Sequence, residues 1–291
     1  MTHRTVLVLG ATGNQGGAVT HALLELGMTV RAMVRNPDSD KAQALSARGV
    51  ELVRGDFEHG DTIEAAAQGV DSAFVVTSPF VPDVGLDGEI RQGRTIIDAL
   101  ARAAVPHVVY SSVSDADRQT GVGHFETKAD AERHLIASGL AYTITAPVFF
   151  SDNVAMPWSI PALRDGIFRQ AMPGKRPLQV VSLGEIGRFN AAVIARGPEL
   201  AGRRINYAGD ELSSIQIALA LSQASGKNIA FHEQPLEELR AYMAETADMF
   251  EWFDKVGYSA DVQALREEFP EVGWVSFDQW AGNQPWPQLL A

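Results

Sequence analysis

Thr5-Val-Leu-Val-Leu-Gly-Ala-Thr-Gly-Asn-Gln-Gly-Gly-Ala-Val19 is the stretch whose reading decides the fold. From Val6 to Leu9 the chain is continuously apolar, as a strand buried on both faces is, and the run stops at Gly10. A helical pattern then takes over at Val19, Leu23 and Leu24, so the segment reads as strand, tight turn and helix start. Gly10, Gly13 and Gly16 stand at the spacing G-x-x-G-x-x-G, with Gly17 as a further small residue. Glycines there permit a sharp turn, let a pyrophosphate approach with no Cβ in its way, and let the helix pack close on the strand. The helix N-terminus offers unpaired N–H groups and a partial positive charge to the phosphates. The spacing differs from the G-x-G-x-x-G fingerprint of dinucleotide sites, and the strand before and helix after supply the context that the motif alone lacks. The bland alternative is a glycine-rich turn with no ligand.

Outward from this turn, apolar strand-like runs alternate with helical patterns, which predicts a parallel sheet covered on both faces. The first helix, Gln15–Leu26, ends at Gly27; Thr29–Val34 is the second strand and closes on Arg35-Asn-Pro. About 20 residues after the glycine turn, an NAD site places an acid on the ribose 2′-hydroxyl, whereas an arginine there accommodates a 2′-phosphate. The residue is Arg35, which points to NADP(H); Asp38 and Asp40 lie beyond Pro37 and read as the start of the next helix. After a third strand, Glu51–Arg54, come Asp56 and Phe57, which suit either an adenine contact or a turn cap and a core ring. Ala73–Val76 is the fourth strand, Thr77 follows it, and Phe80–Gly88 reads as a long loop at the carboxyl end of the sheet. A helix over Glu89–Ala104 leads to the fifth strand, Val108–Ser111.

Composition narrows the class. With 291 residues, 46% hydrophobic and 21% charged, the chain is an ordinary globular protein of one elaborated domain or two. Its net charge of −12 argues against direct binding to a nucleic-acid backbone. With no cysteine there is no disulfide and no thiolate metal site, and the seven histidines include no pair at ligand spacing, so no metal is expected. No segment has the length of a signal h-region or membrane span, and a cytoplasmic location is expected.

Beyond the fifth strand, Ser111-Ser-Val-Ser114 leads through a polar loop to a helix in which His124 and Lys128, four apart, share a face. This resembles the reducing site of short-chain dehydrogenases/reductases, where a serine and a Tyr-x-x-x-Lys pair act together. Here His124 occupies the tyrosine position. By its order of motifs the chain resembles the NmrA-like group of atypical short-chain dehydrogenases/reductases. The resemblance rests on the glycine turn, Arg35-Asn-Pro, Gly55-Asp56, Val108-Val-Tyr-Ser111, His124-x-x-x-Lys128, Pro147-Val-Phe-Phe150 with Asn153, Asp248-Met-Phe250 and Ser276-Phe-Asp-Gln-Trp280. It implies a Rossmann-type doubly wound parallel sheet with a smaller α+β C-terminal domain, divided here as an NADP-binding domain, 1–155, and a substrate-binding domain, 156–291, with 183–209 a candidate to return to the main sheet.

The same resemblance implies that Gly10, Thr12, Gly13, Asn14, Gln15 and Gly16 surround the pyrophosphate and that Arg35 meets the 2′-phosphate. Asp56 and Phe57 then flank the adenine, Thr77 lies near the ribose, Lys128 holds the nicotinamide ribose, and Pro147, Phe149 and Phe150 line the nicotinamide side. Its members divide between NADPH-dependent reductases of quinones and related small molecules, and non-catalytic NADP(H) sensors that bind a protein partner.

In the C-terminal half, Ile167–Ala171 and Leu178–Val181 read as a strand pair, Gly184–Arg196 and Ser213–Ala224 as helices, and Arg204–Ala208 as a strand. Met249, Phe250, Trp252 and Phe253 cluster at helical spacing, a core pattern that could also wall an apolar pocket. Two functions follow. In one, NADPH passes hydride to a quinone or similar acceptor, with Lys128, His124 and Ser112 as the chemical residues; in the other, the protein is a redox sensor for a regulatory partner. The aromatic content of the second domain favours the reductase.

Overall fold

The computed structural model describes residues 4–291. In chain order, the first part alternates β1 (Thr5–Leu9), α1 (Asn14–Glu25), β2 (Thr29–Val34), α2 (Asp40–Ser46), β3 (Glu51–Arg54), α3 (Gly60–Ala67), β4 (Ser72–Val75), α4 (Gly85–Arg102), β5 (Val108–Ser111), α5 (Gly123–Ala137) and β6 (Tyr142–Pro147). There follow β7 (Phe149–Phe150), α6 (Ile160–Arg164), β8 (Ile167–Gln170), β9 (Pro177–Val181), α7 (Leu183–Arg196), β10 (Arg204–Tyr207), β11 (Asp210–Ser213), α8 (Ser214–Ser225), β12 (Ala230–Glu233), α9 (Leu236–Arg240) and α10 (Ala244–Lys255). Shorter helical segments complete the chain.

Two compact units emerge. The first comprises residues up to Asp117, His124–Ala146 and Ile186–Ile205; the second comprises Arg118–Gly123, Pro147–Glu185 and Asn206–Ala291. The main sheet has seven strands in the order β10-β6-β5-β4-β1-β2-β3, a Rossmann-type doubly wound arrangement. Register is parallel from β3 across to β6, with Leu9 opposite Met33 and Val8 opposite Phe74. The continuous apolar strands are buried on both faces because helices cover both. On one face, Leu7, Leu9, Met33, Val75 and Tyr110 pack with Ile63 of α3 and Ile96, Ile97 and Leu100 of α4.

Strand order reverses between β1 and β4, which are parallel, with β2 and β3 added on one side and β5 and β6 on the other. That places the carboxyl ends of β1 and β4, the glycine turn and Thr77 at the crevice where open α/β sheets take ligands. Gly27, at φ +72°, supplies the left-handed turn that returns α1 to β2.

Within the second unit, β9 is flanked by β11 and β7, while β12 pairs with β8. The expectation that β8 and β9 pair is therefore corrected. Both sides of β9 are already occupied, antiparallel by β11 and parallel by β7, so β8 finds its partner in β12, Ile167 opposite Ala230. The loop read over Phe80–Gly88 is shorter, because α4 begins at Gly85, itself at φ +61°. α8 starts with the capping box of Ser213 and Gln216. Phe250, Trp252 and Phe253 of α10 are buried.

Candidate functional site

Gly10 turns the chain at φ +84°, and the Gly13 amide donates to its carbonyl at 2.9 Å. A Cβ on Gly16 would lie 2.2 Å from the Gly10 oxygen, so this glycine is required by the close approach of α1 to the end of β1. Gly13 differs. Its backbone is extended, at φ −90° and ψ 177°, a conformation open to any residue. A Cβ there would meet only the Gly10 carbonyl oxygen, at 3.3 Å. The backbone conformation does not demand a glycine at 13. No side chain caps α1 and its first turn carries no acid. Among the described residues no acceptor meets the amides of Asn14 and Gln15, which leaves them to an anion. Thr12 is half-buried, and Gln15 is oriented by Ser111, whose hydroxyl donates to Gln15 Oε1 at 2.8 Å. The turn therefore fits a pyrophosphate.

Arg35 leaves β2 two residues past Met33, the partner of Leu9, and so stands beside the turn. Its guanidinium is exposed and has no hydrogen bond or ion pair among the described residues. Asp38 and Asp40 belong to the approach and first turn of α2, where Ser39 is the cap. Asp56 Oδ1 accepts from the Glu58 amide at 3.0 Å. Phe57 packs against the core beneath β3 and α3. Both contacts are compatible with either use the sequence left open for this pair, since the second Asp56 oxygen is not the one that takes the Glu58 amide.

Thr77, at the end of β4, is part of a buried cluster. Lys128 is 8% exposed and donates to the Thr77 carbonyl at 2.6 Å, to Thr77 Oγ1 at 3.0 Å and to Glu89 Oε1 at 3.0 Å. Thr77 Oγ1 also donates to Glu89 at 2.9 Å, and Thr127 donates to the other oxygen of that carboxylate. The Lys128 ammonium lies 5.6 Å from the centre of the Tyr110 ring. Burial works against the charge of Lys128, but the neighbouring Glu89 carboxylate, with Tyr110 and Glu132, raises it above the ordinary lysine range. Burial raises the Tyr110 hydroxyl as well, which keeps it protonated.

The Ser112 hydroxyl turns into the fold and donates to Glu132, whose carboxylate also takes Arg204 through Nε at 2.9 Å. His124, in the first turn of α5, is half-buried between two rings, 5.4 Å from Phe80 and 4.7 Å from Phe125, both edge-on. Although His124 and Lys128 share a helix face, the lysine alone enters the Thr77 cluster. In the second unit, Pro147 ends β6 and is buried, Phe150 pairs with Val181, and Phe149 packs 6.3 Å from Phe250 and 6.2 Å from Phe253. Asn153 lies in the short turn that follows.

Sequence reasoning missed Glu89, Tyr110 and Ser111. A signal existed for the first. Glu89 falls on the stripe of α4 that carries Gln92, Gly93, Ile96 and Leu100 into the core, and an acid on such a stripe calls for a buried cation. Among the described residues no group of His, Asp or Glu is placed to hold a metal, and no helix is long and apolar enough to cross a membrane.

A model of the NmrA-like family matches residues 2–281. The NAD(P)H azoreductase of Xenophilus azovorans is 30% identical over 247 residues, covering 82% of this chain and 80% of its own length. The crystal structure of the NADPH-dependent quinone oxidoreductase of Escherichia coli with NADPH superposes with a TM-score of 0.80 at 25% identity, covering 95% of this chain and 98% of that one. NmrA, a negative transcriptional regulator crystallised with NADP, has a TM-score of 0.81 at 21% identity, covering 99% of this chain and 97% of its own, and thereby shares the fold.

Proposed function

Because the chain belongs to the NmrA-like family, we propose that it binds NADP(H) on the β1–α1 turn and acts as an NADPH-dependent reductase of a quinone or similar electron-poor small molecule. The observation that carries the reading is the pairing of an open glycine turn with an unpartnered Arg35 beside it. The amides of Asn14 and Gln15 would hold the pyrophosphate, Gly13 would let it approach, and Arg35 would meet the 2′-phosphate. Bound NADPH supplies a hydride. Reduction of a quinone also consumes a proton, and His124, half-buried in the first turn of α5, would deliver one, with water as the other source. Ser112 is left out of the chemistry because its hydroxyl is committed to Glu132. Two relatives support the oxidoreductase class by what they are, an azoreductase and a quinone oxidoreductase. The Phe149, Phe250 and Phe253 rings of the second unit are of the type that recognises a flat apolar ring.

A second reading, a redox sensor for a protein partner, is favoured by the absence of a tyrosine at position 124 together with the inward turn of Ser112. One experiment separates the two. Titration calorimetry with NADPH is followed by anaerobic mixing with a panel of quinones and an azo dye, read at the nicotinamide absorbance. Binding with loss of absorbance supports the reductase, binding with persistent absorbance across the panel supports the sensor, and absence of both heat and thermal upshift removes the cofactor site.

A further inference from the structure

The Lys128 cluster has a valence that its sequence motif does not disclose. An ammonium has three hydrogens. Here they meet the Thr77 carbonyl, Thr77 Oγ1 and Glu89 Oε1, all within 3.0 Å, in surroundings where the carboxylate is 1% exposed. No hydrogen remains for a ribose hydroxyl. The carboxylate is equally committed, since one oxygen takes Lys128 and Thr77 and the other takes Thr127. Three elements are thereby joined at one point: Thr77, two residues past the end of β4, the second turn of α4 and the second turn of α5.

We infer that Glu89 is a positioning residue of the cofactor site, holding Lys128 as a buried pin on Thr77, and that Lys128 acts through Thr77 instead of touching the dinucleotide. The inference rests on the NADP(H) reading. β4 lies on the opposite side of β1 from β2 and Arg35, so the pin serves the nicotinamide half of a dinucleotide and not its adenine half. A buried ion pair that has lost one member leaves the other charge uncompensated, so removing either residue releases the end of β4.

The test uses the full chain, its Glu89→Gln and Lys128→Met variants, calorimetry with NADPH and with adenosine 2′,5′-bisphosphate, and mass-spectrometric mapping of amine acetylation. Lys128 should resist acetylation in the parent with or without NADPH and should become reactive in Glu89→Gln. Both variants should lose NADPH affinity by about tenfold or more while the bisphosphate, which carries only the adenine half, binds as in the parent. That contrast distinguishes positioning from a general loss of fold. Ready acetylation of Lys128 in the free parent with protection by NADPH would make it a direct ligand and overturn the inference, as would parental NADPH affinity in Glu89→Gln. A parent that binds neither nucleotide removes the cofactor reading itself and this role with it, whereas a binding parent with the wrong variant pattern removes this role alone.

Discussion

Arg35 holds a full positive charge on an exposed side chain in a protein of net charge −12, with no acid among the described residues to compensate it. On the proposed function, a guanidinium left alone next to the glycine turn is matched by a ligand that carries the missing charge. Because Arg35 is exposed and makes no hydrogen bond or ion pair among the described residues, its removal should cost affinity more than stability. Arg35→Ala is expected to weaken NADPH by about 10- to 100-fold and NADH by no more than about threefold, the range for a charge-assisted hydrogen-bond pair. Calorimetry with both nucleotides checks this, and an equal loss for the two would dismiss the 2′-phosphate contact. His124 invites a second test at the same scale. His124→Phe keeps a ring between Phe80 and Phe125. If the imidazole delivers the proton, the variant should bind NADPH as the parent does and reduce the quinone panel about 100-fold more slowly, whereas unchanged turnover would assign the proton to water.

At the scale of elements, the glycines of the β1–α1 turn divide into two kinds, and the division can be measured. Gly16→Ala would set a Cβ 2.2 Å from a backbone oxygen that cannot move without β1. It should cost about 3 kcal/mol and lower Tm by several degrees. Gly13→Val, on an extended backbone where the added Cβ meets only the Gly10 carbonyl oxygen at 3.3 Å, should lower Tm far less than Gly16→Ala yet abolish NADPH binding. Retained binding in Gly13→Val, seen by calorimetry, would place the dinucleotide elsewhere. The turn was legible in the sequence because its information is local: an apolar run, glycines and a helix start lie within fifteen residues. The position of Arg35 at the end of β2 was legible for the same reason, one strand further on.

What the sequence withheld at this scale is long-range. Ser111 and Ser112 are neighbours of the same type, and only the pleat of β5 sends the first to Gln15 and the second to Glu132. That Asp56 takes the Glu58 amide on one carboxylate oxygen is likewise a feature of the folded turn. The pairing of β8 with β12, more than sixty residues later, leaves no trace in either segment, whereas the Pro-Gly between β8 and β9 suggests the nearer partner. Glu89 was the one missed residue with a readable mark, a lone acid on the buried stripe of α4.

Over the whole molecule, stability depends on groups that burial holds in one protonation state. His107, at the start of β5, is almost fully buried; its Nε2 pairs with Thr143 Oγ1 at 2.9 Å and its Nδ1 has no partner. Burial, helped by the charge of Arg4, lowers its pKa below the ordinary 6.5. The sign follows from proton uptake. Above 6.5 the ring is neutral in both folded and unfolded chains, and folding gains nothing from pH. Below 6.5 the unfolded chain binds a proton that the folded chain refuses, so stability falls with pH until the lowered native value is passed. One such proton can contribute a slope of at most about 1.4 kcal/mol per pH unit. Thermal melts of the parent should therefore shift downward between about pH 7.5 and about pH 5.5, and the shift should shrink in His107→Gln, which keeps a hydrogen bond to Thr143 within reach but cannot titrate. The difference between the two slopes isolates His107 from the carboxylates that titrate lower. Identical slopes would mean that His107 accepts its proton in the folded state, with the vacant Nδ1 finding a partner as it charges.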